Sequence, residues 1–373
     1  MRRIGILSLF LTLILGITVP VFGEEQLFAK SAVLIDGENG RILYGKEPEK
    51  KMAMASTTKI MTCIVALENC DLDKVMVVSE RAVKMPKVHM NVVKGEQYHM
   101  KDLLYAMMLE SYNDVAVVVA ENVAGSVEEF AKLMNQKAKE IGAINTNFVT
   151  PNGLDAENHY STAYDMALIG AYAVKNKEFV KIVTTNAYSF RDITGKRSVS
   201  VSNKDAFLTM DKDAIGIKTG FTGTAGYCFV GAVRSNDRLF VSCVLACGWP
   251  PNKTYKWHDT KLLMNMGKEQ FHYKTILDND MPVYVNIENG TKDKIKAKVE
   301  GNSFMLVSDN EMIDLKTSIN YKLPIKKNEV VGNVDIYVND KRVERHNIIS
   351  METVKKYDFA YCFEKTLDYF IFQ

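Results

Sequence analysis

Past residue 24 the spacing of hydrophobic positions changes character several times along the chain. Residues 31–36 and 41–45 are short apolar runs around Gly37-Glu38-Asn39-Gly40, which predicts a hairpin. Residues 56–69 then carry Ile60, Ile64 and Leu67 at helical spacing. Residues 101–123 are helix-forming on both sides of Ser111-Tyr112-Asn113. Ser126-Val127-Glu128-Glu129 is a capping box opening a helix to Gly142, and 162–165 is a weaker start for a helix to about Lys175. Strand patterns return at 215–218, 225–234 and 238–246, and a helical stretch follows at 252–270. Strands at both ends of this region and helices in its middle predict an α+β fold, an antiparallel sheet packed on a helical lobe. From 272 to 350 short alternating strands with frequent turns predict a small all-β domain.

Composition changes this picture little. The 373 residues are 47% hydrophobic and 25% charged, ordinary for a globular chain and enough for two domains. Met1-Arg2-Arg3, an uncharged run from 4 to 19 and Val21-Phe22-Gly23 read as a cleaved secretory signal, residues 1–23. Without Arg2 and Arg3, basic and acidic residues are equal at 45 each, so no nucleic acid is implied. Six cysteines in so long a chain are not a disulfide framework, and they read as buried thiols with a Cys228–Cys243 cross-strand bridge left open. The six histidines form no H-E-x-x-H or close ligand cluster, so neither metal nor cofactor is expected.

Three short motifs carry candidate chemistry. Ser56-Thr57-Thr58-Lys59 is the only S-x-x-K, and at the start of a helix it puts a hydroxyl and an amine on one face. Such an amine can take the hydroxyl's proton only when neutral, which requires burial and nearby positive charge. Ser111-Tyr112-Asn113 offers a hydroxyl to relay a proton, and an amide to hold a peptide group and orient Lys59. Ser318-Ile319-Asn320 repeats that spacing in the β region without a role. Lys218-Thr219-Gly220 closes an apolar strand. There the Lys and Thr can bind a carboxylate, and the Gly lets a substrate backbone approach. Each motif alone is commonly a helix cap, a turn or a strand end.

Their order, S-x-x-K then S-x-N then K-T-G, is similar to that of penicillin-interacting serine enzymes. The chain resembles the D-alanyl-D-alanine carboxypeptidases among the low-molecular-weight penicillin-binding proteins. The stretches 55–62, 102–116, 151–163 and 216–222 carry the resemblance, which covers about 26–270 strongly and the β domain weakly. It implies a penicillin-binding protein/serine β-lactamase-like domain at 24–271, a small β domain at 272–350 and a tail at 351–373. It further implies that Ser56 attacks the penultimate D-alanine of a peptidoglycan stem peptide and that β-lactams acylate the same serine. Lys59 would then be the general base, Ser111 the proton relay and Asn113 the contact to the substrate amide. Lys218 and Thr219 would hold the substrate carboxylate beside Gly220, and the N–H groups of Ser56 and Phe221 would form the oxyanion hole.

Tyr112 departs from the smaller residue common in that family. In the tail, Phe359, Phe363, Leu367 and Phe370 fall at helical spacing near Lys355, Lys356 and Lys365, which predicts peripheral contact with the outer leaflet of the cell membrane. A β-lactamase shares the three motifs, with Glu157 in a loop suited to positioning a deacylating water. A DD-endopeptidase uses the same bond chemistry, and a non-catalytic wall-binding protein is the remote alternative.

Overall fold

The computed structural model describes residues 26–371. The leader reading for residues 1–23 lies outside the described residues. The chain starts with the expected hairpin, β1 (Ser31–Asp36) and β2 (Ile42–Lys46). A short 3-10 turn, Ala55–Thr58, leads into α1 (Lys59–Asn69). Next come β3 (Val75–Val77), α2 (Glu80–Val83), β4 (Gln97–His99), α3 (Met100–Glu110), α4 (Asn113–Ala124) and α5 (Val127–Ile141). Ser126 caps α5 by accepting from the Glu129 N–H, as the capping box predicts. Thr162 does the same for α6 (Ala163–Ala173). Then follow α7 (Lys177–Thr184), a hairpin of β5 (Ala187–Arg191) and β6 (Ser198–Ser202), and α8 (Phe207–Met210). The catalytic part closes with β7 (Ala214–Thr222), β8 (Gly226–Ser235), β9 (Arg238–Leu245) and α9 (Tyr255–Gln270).

The central sheet runs β2-β1-β9-β8-β7, all antiparallel, so the two ends of this region interleave and β7 is left on an edge. Alternation divides each inner strand between two cores. Val33 and Ile35 on β1, Cys228, Val230 and Ala232 on β8, and Val241 and Cys243 on β9 pack into the helical lobe. Leu34, Phe229 and Phe240 face the opposite side, against Leu263 and Met264 of α9. Fully burying each such side chain contributes roughly 1.5–3 kcal/mol, enough to hold the sheet's register.

The β5–β6 hairpin and α7 are missing from the elements predicted above, although Ser198–Ser202 alternates strictly and Lys177–Thr184 buries Phe179, Ile182 and Val183 on one face. Each hairpin strand alternates between exposed and inward positions, with Phe190 and Val201 buried and Tyr188 and Val199 half-buried. The cysteines are all free; Cys63, Cys228, Cys243 and Cys247 are buried, Cys70 is half-buried and Cys362 is exposed. The bridge left open between Cys228 and Cys243 does not form, because the register places Cys243 opposite Val230 and Cys228 opposite Gly220.

Beyond α9 come β10 (Phe271–Leu277), β11 (Pro282–Asn286), β12 (Lys294–Val299), β13 (Ser303–Ser308), β14 (Ile313–Ile319), β15 (Val330–Val338) and β16 (Lys341–Ser350). They form a two-stranded sheet, β10-β13, and a five-stranded one, β11-β12-β16-β15-β14, around a separate core that includes Val299, Val331, Ile336 and Ile348. Phe271 and Leu306 pack instead on the α9 side of the catalytic sheet, and Arg41 reaches across to Glu311 at 2.7 Å and to the Leu306 carbonyl. Val354 is buried in the β core, so the free tail helix α10 (Phe359–Ile371) starts later, and none of its residues is buried. Among the described residues no helix is long and apolar enough to cross a membrane.

Because the two large cores share no residues, Ile336→Ala should lower the unfolding free energy of the β region by about 2–5 kcal/mol. The unfolding transition of the helical lobe and its sheet should stay at the wild-type temperature.

Candidate active site

Ser56 sits in the 3-10 turn rather than in the first turn of an α-helix. The preceding Ala55 has φ +48°, a left-handed conformation that costs an L-residue of order 1–2 kcal/mol. Thr57 compensates by returning its N–H and its hydroxyl to the Met54 carbonyl, at 3.3 and 2.6 Å. The turn half-exposes Ser56 at the sheet–lobe boundary while Lys59, one turn on, is fully buried.

The Lys59 amine has three polar contacts: Ser56 Oγ at 2.9 Å, Asn113 Oδ1 at 2.9 Å and the Asn152 carbonyl at 2.6 Å. The Asn113 amide is oriented by its own partners. Its Nδ2 donates to the carbonyls of Pro86 and Lys87, at 3.2 and 3.1 Å, so its oxygen must face Lys59. Burial first, and then the Lys218 ammonium, push the Lys59 amine well below the usual lysine range; Asp114 opposes them.

Lys218 arrives from the other end of the chain. A bulge between Ala214 and Gly216 resets the phase of β7, and the buried Asp205 carboxylate accepts from the Ile217 N–H at 3.1 Å. Register then pairs Lys218 with Val230 and Gly220 with Cys228, both on the lobe side. Burial lowers the Lys218 amine to about 8, against the opposing pull of Asp205 and Glu110. A Cβ on Gly220 would lie 3.0 Å from the Ser56 nitrogen and 3.0 Å from the Met54 carbonyl oxygen, so any other residue here would push β7 and the Ser56 turn apart. Thr219 is half-buried beside it, and Phe221 is exposed with its ring on Tyr227.

The loop at 151–155 forms another wall. Gly153, at φ +81°, passes so near the nucleophile turn that a Cβ would fall 1.9 Å from the Ala55 oxygen. Thr62 donates to the Pro151 carbonyl, and Thr222 at the end of β7 donates to Asp155 at 2.9 Å. His159 braces the same wall: Nδ1 accepts from the Val149 N–H at 2.9 Å, and the other ring nitrogen lies 3.0 Å from the Thr58 hydroxyl. Burial lowers its pKa to about 4, so it is neutral and structural.

Ser111 caps α3 in a left-handed conformation, φ +68°, at the junction with α4, and is not one of the three Lys59 contacts. Tyr112 is half-buried against the lobe core. Ser318 lies on the exposed edge strand β14, in the other domain. Glu157 is exposed in a turn. Among the described residues no group of three or more His, Cys, Asp or Glu side chains is placed to hold a metal. Sequence reasoning missed the carbonyls of Asn152, Pro86 and Lys87, because backbone oxygens leave no residue signature. Only the Pro-Asn-Gly turn at 151–153 pointed near one of them.

Comparison with known proteins agrees with this geometry. A family profile described as D-alanyl-D-alanine carboxypeptidase matches residues 19–247, and one described as penicillin-binding protein 5, C-terminal domain, matches 271–356. The D-alanyl-D-alanine carboxypeptidase DacF of Bacillus subtilis is 30% identical over 349 residues, covering 91% of this chain and 89% of the relative. DacC of Escherichia coli is 30% identical over 361 residues, covering 89% and 85%. The crystal structure of the carboxypeptidase DacD from Francisella tularensis superposes with a TM-score of 0.74 at 26% identity, covering 89% of this chain and 94% of that one. Penicillin-binding protein 5 from Haemophilus influenzae gives 0.71 at 27%, covering 89% and 98%. By its motifs, its sheet and the match along most of its length, the chain belongs to the D-alanyl-D-alanine carboxypeptidase family of serine peptidases.

Proposed function

We propose that this chain is an exported carboxypeptidase that removes the terminal D-alanine of peptidoglycan stem peptides through an acyl-enzyme on Ser56. The observation that carries the proposal is the set of contacts around Lys59. A neutral amine has two N–H bonds and one lone pair. The Asn152 carbonyl and Asn113 Oδ1 can only accept, so they take both N–H bonds and leave the lone pair for the Ser56 O–H, 2.9 Å away.

In the reaction that follows, Lys59 takes the hydroxyl proton as Ser56 Oγ bonds to the carbonyl carbon of the penultimate D-alanine. The oxyanion is held by the N–H groups of Ser56 and Phe221. The C–N bond then breaks, and the departing amine receives a proton from Lys59 by way of Ser111. Water, losing its proton to Lys59, cleaves the ester and frees Ser56. Lys218 and Thr219 bind the terminal carboxylate, with Asn113 and Gly220 lining the peptide's path. The division of labour follows the chain: 24–271 catalytic, then a β support that extends past 350 to bury Val354, then a tail. The exposed aromatic face of α10 supports peripheral contact with the outer leaflet.

The β-lactamase alternative is less well supported. Glu157 is exposed, and the groups bonded to Lys59 are a hydroxyl, an amide and a backbone carbonyl rather than a carboxylate. A β-lactam should therefore leave a long-lived adduct.

Incubation with fluorescent penicillin should label the wild type, whereas Ser56→Ala should lose both labelling and D-alanine release, by about 10⁴-fold or more in kcat. Labelling that survives the substitution would refute the assignment. The pH profile has a definite sign. Lys59 must be neutral, so kcat/KM falls as the solution becomes acidic enough to protonate its depressed amine; Lys218 must be cationic, so kcat/KM also falls as pH rises through about 8. Lys218→Arg, cationic at all working pH, should move the alkaline limb upward in steady-state assays of D-alanine release. A shortened chain ending at Asp358 keeps Val354 in its core and should no longer sediment with vesicles of anionic lipid. Co-sedimentation as strong as that of the full chain would remove the tail from membrane contact.

A further inference from the structure

The segment 86–92 has neither helix nor strand, yet it supplies the carbonyls that orient Asn113. It is held from two sides. From α4, the Asn113 N–H donates to the Val88 carbonyl at 2.7 Å, and the buried Asp114 carboxylate accepts from Met90 N–H at 2.9 Å and Val92 N–H at 3.3 Å. From the β5–β6 hairpin, the Arg197 guanidinium donates to the Met90 carbonyl at 2.6 Å and the Asn91 carbonyl at 2.8 Å. The same guanidinium is fixed by Glu96, at 2.8 and 3.0 Å. Met90 is thus gripped at its N–H by Asp114 and at its carbonyl by Arg197.

We propose that Arg197 is a positioning residue for the Ser56–Lys59 reaction, acting through the 86–92 segment on the Asn113 amide. The inference rests on the proposed role of Lys59. An Asn side chain is nearly symmetric in shape, and only its hydrogen-bond partners decide which end faces Lys59. Without Arg197 the segment keeps the backbone attachments of Val88, Met90 and Val92 to α4 but loses its anchor on the hairpin, and its 86–87 end is free to shift relative to the Asn113 side chain. The Pro86 and Lys87 carbonyls then no longer hold the Asn113 NH2, and the amide can turn that NH2 toward Lys59. A neutral Lys59 facing a donor must give up its lone pair to it, and Ser56 loses its base. Guanidinium suits this position because its planar fork spans two carbonyls and a carboxylate at once; an ammonium is a point donor.

The test measures fluorescent-penicillin acylation rate, kcat and KM for D-alanine release, and melting temperature in the full chain. Arg197→Ala should slow acylation and kcat by up to about 100-fold, the loss expected when a reacting group shifts by an ångström. KM should stay within about threefold and the melting temperature within about 4 °C. Arg197→Lys should recover part of the loss, and Ser200→Ala on the same hairpin should behave as wild type. An Arg197→Ala protein that acylates at the wild-type rate, or whose defect lies in KM, overturns the proposal. So does a loss that Arg197→Lys does not improve. If the Ala variant does not fold, the Lys variant decides: a several-fold slower acylation with KM kept supports the proposal, and a wild-type rate overturns it. A wild type that takes no label at all would instead refute the Ser56 reading.

Discussion

An amine with no exposed surface, three residues after a half-exposed serine, is the constraint around which this structure is arranged. An unpaired ammonium in such a place costs several kcal/mol, and a second lysine, Lys218, raises that cost further. The neutral form relieves it, and a neutral lysine is what a serine needs as its base. Burial that would be a defect in a structural lysine is what the proposed role of Lys59 requires.

Keeping the amine dry and aimed requires contributions from distant parts of the chain. Asn113 comes from the junction of α3 and α4, the Asn152 carbonyl from the loop under Gly153, and Lys218 from an edge strand next to the nucleophile turn. Each is fixed in turn by a neighbour: Pro86 and Lys87 carbonyls for Asn113, Thr62 for the 151–155 loop, Asp205 for the strand before Lys218. The strained φ of Ala55 lies at this groove, where the Thr57 bonds to the Met54 carbonyl and the close pass of Gly153 hold it.

Among the described residues, the β domain and tail supply none of the Lys59 contacts. The β domain has its own core and touches the catalytic part through Arg41, Phe271 and Leu306, near β1, β2 and α9 rather than near β7. A support with a separate core can set where the groove sits relative to a surface without disturbing the lysine's environment.

Much of this was legible in the residues. Helix starts at Ser126 and Thr162 announced themselves through local capping chemistry, and the sheet strands through short apolar runs bounded by turn residues, because both signals depend only on near neighbours. The S-x-x-K, S-x-N and K-T-G residues were legible because their side chains carry the chemistry. The β5–β6 hairpin has a period-2 pattern too, but its two five-residue strands pair only with each other, and contacts to 90–97 fix where it sits. Sequence could not place the Asn152, Pro86 and Lys87 carbonyls, which any residue type could supply. The sequence by itself therefore determined which side chains are candidates to react, while tertiary structure alone lowers the Lys59 amine far below the usual lysine range. That shift depends on burial and on a second charge brought from β7, and neither is a property of the neighbours of Lys59 in the chain.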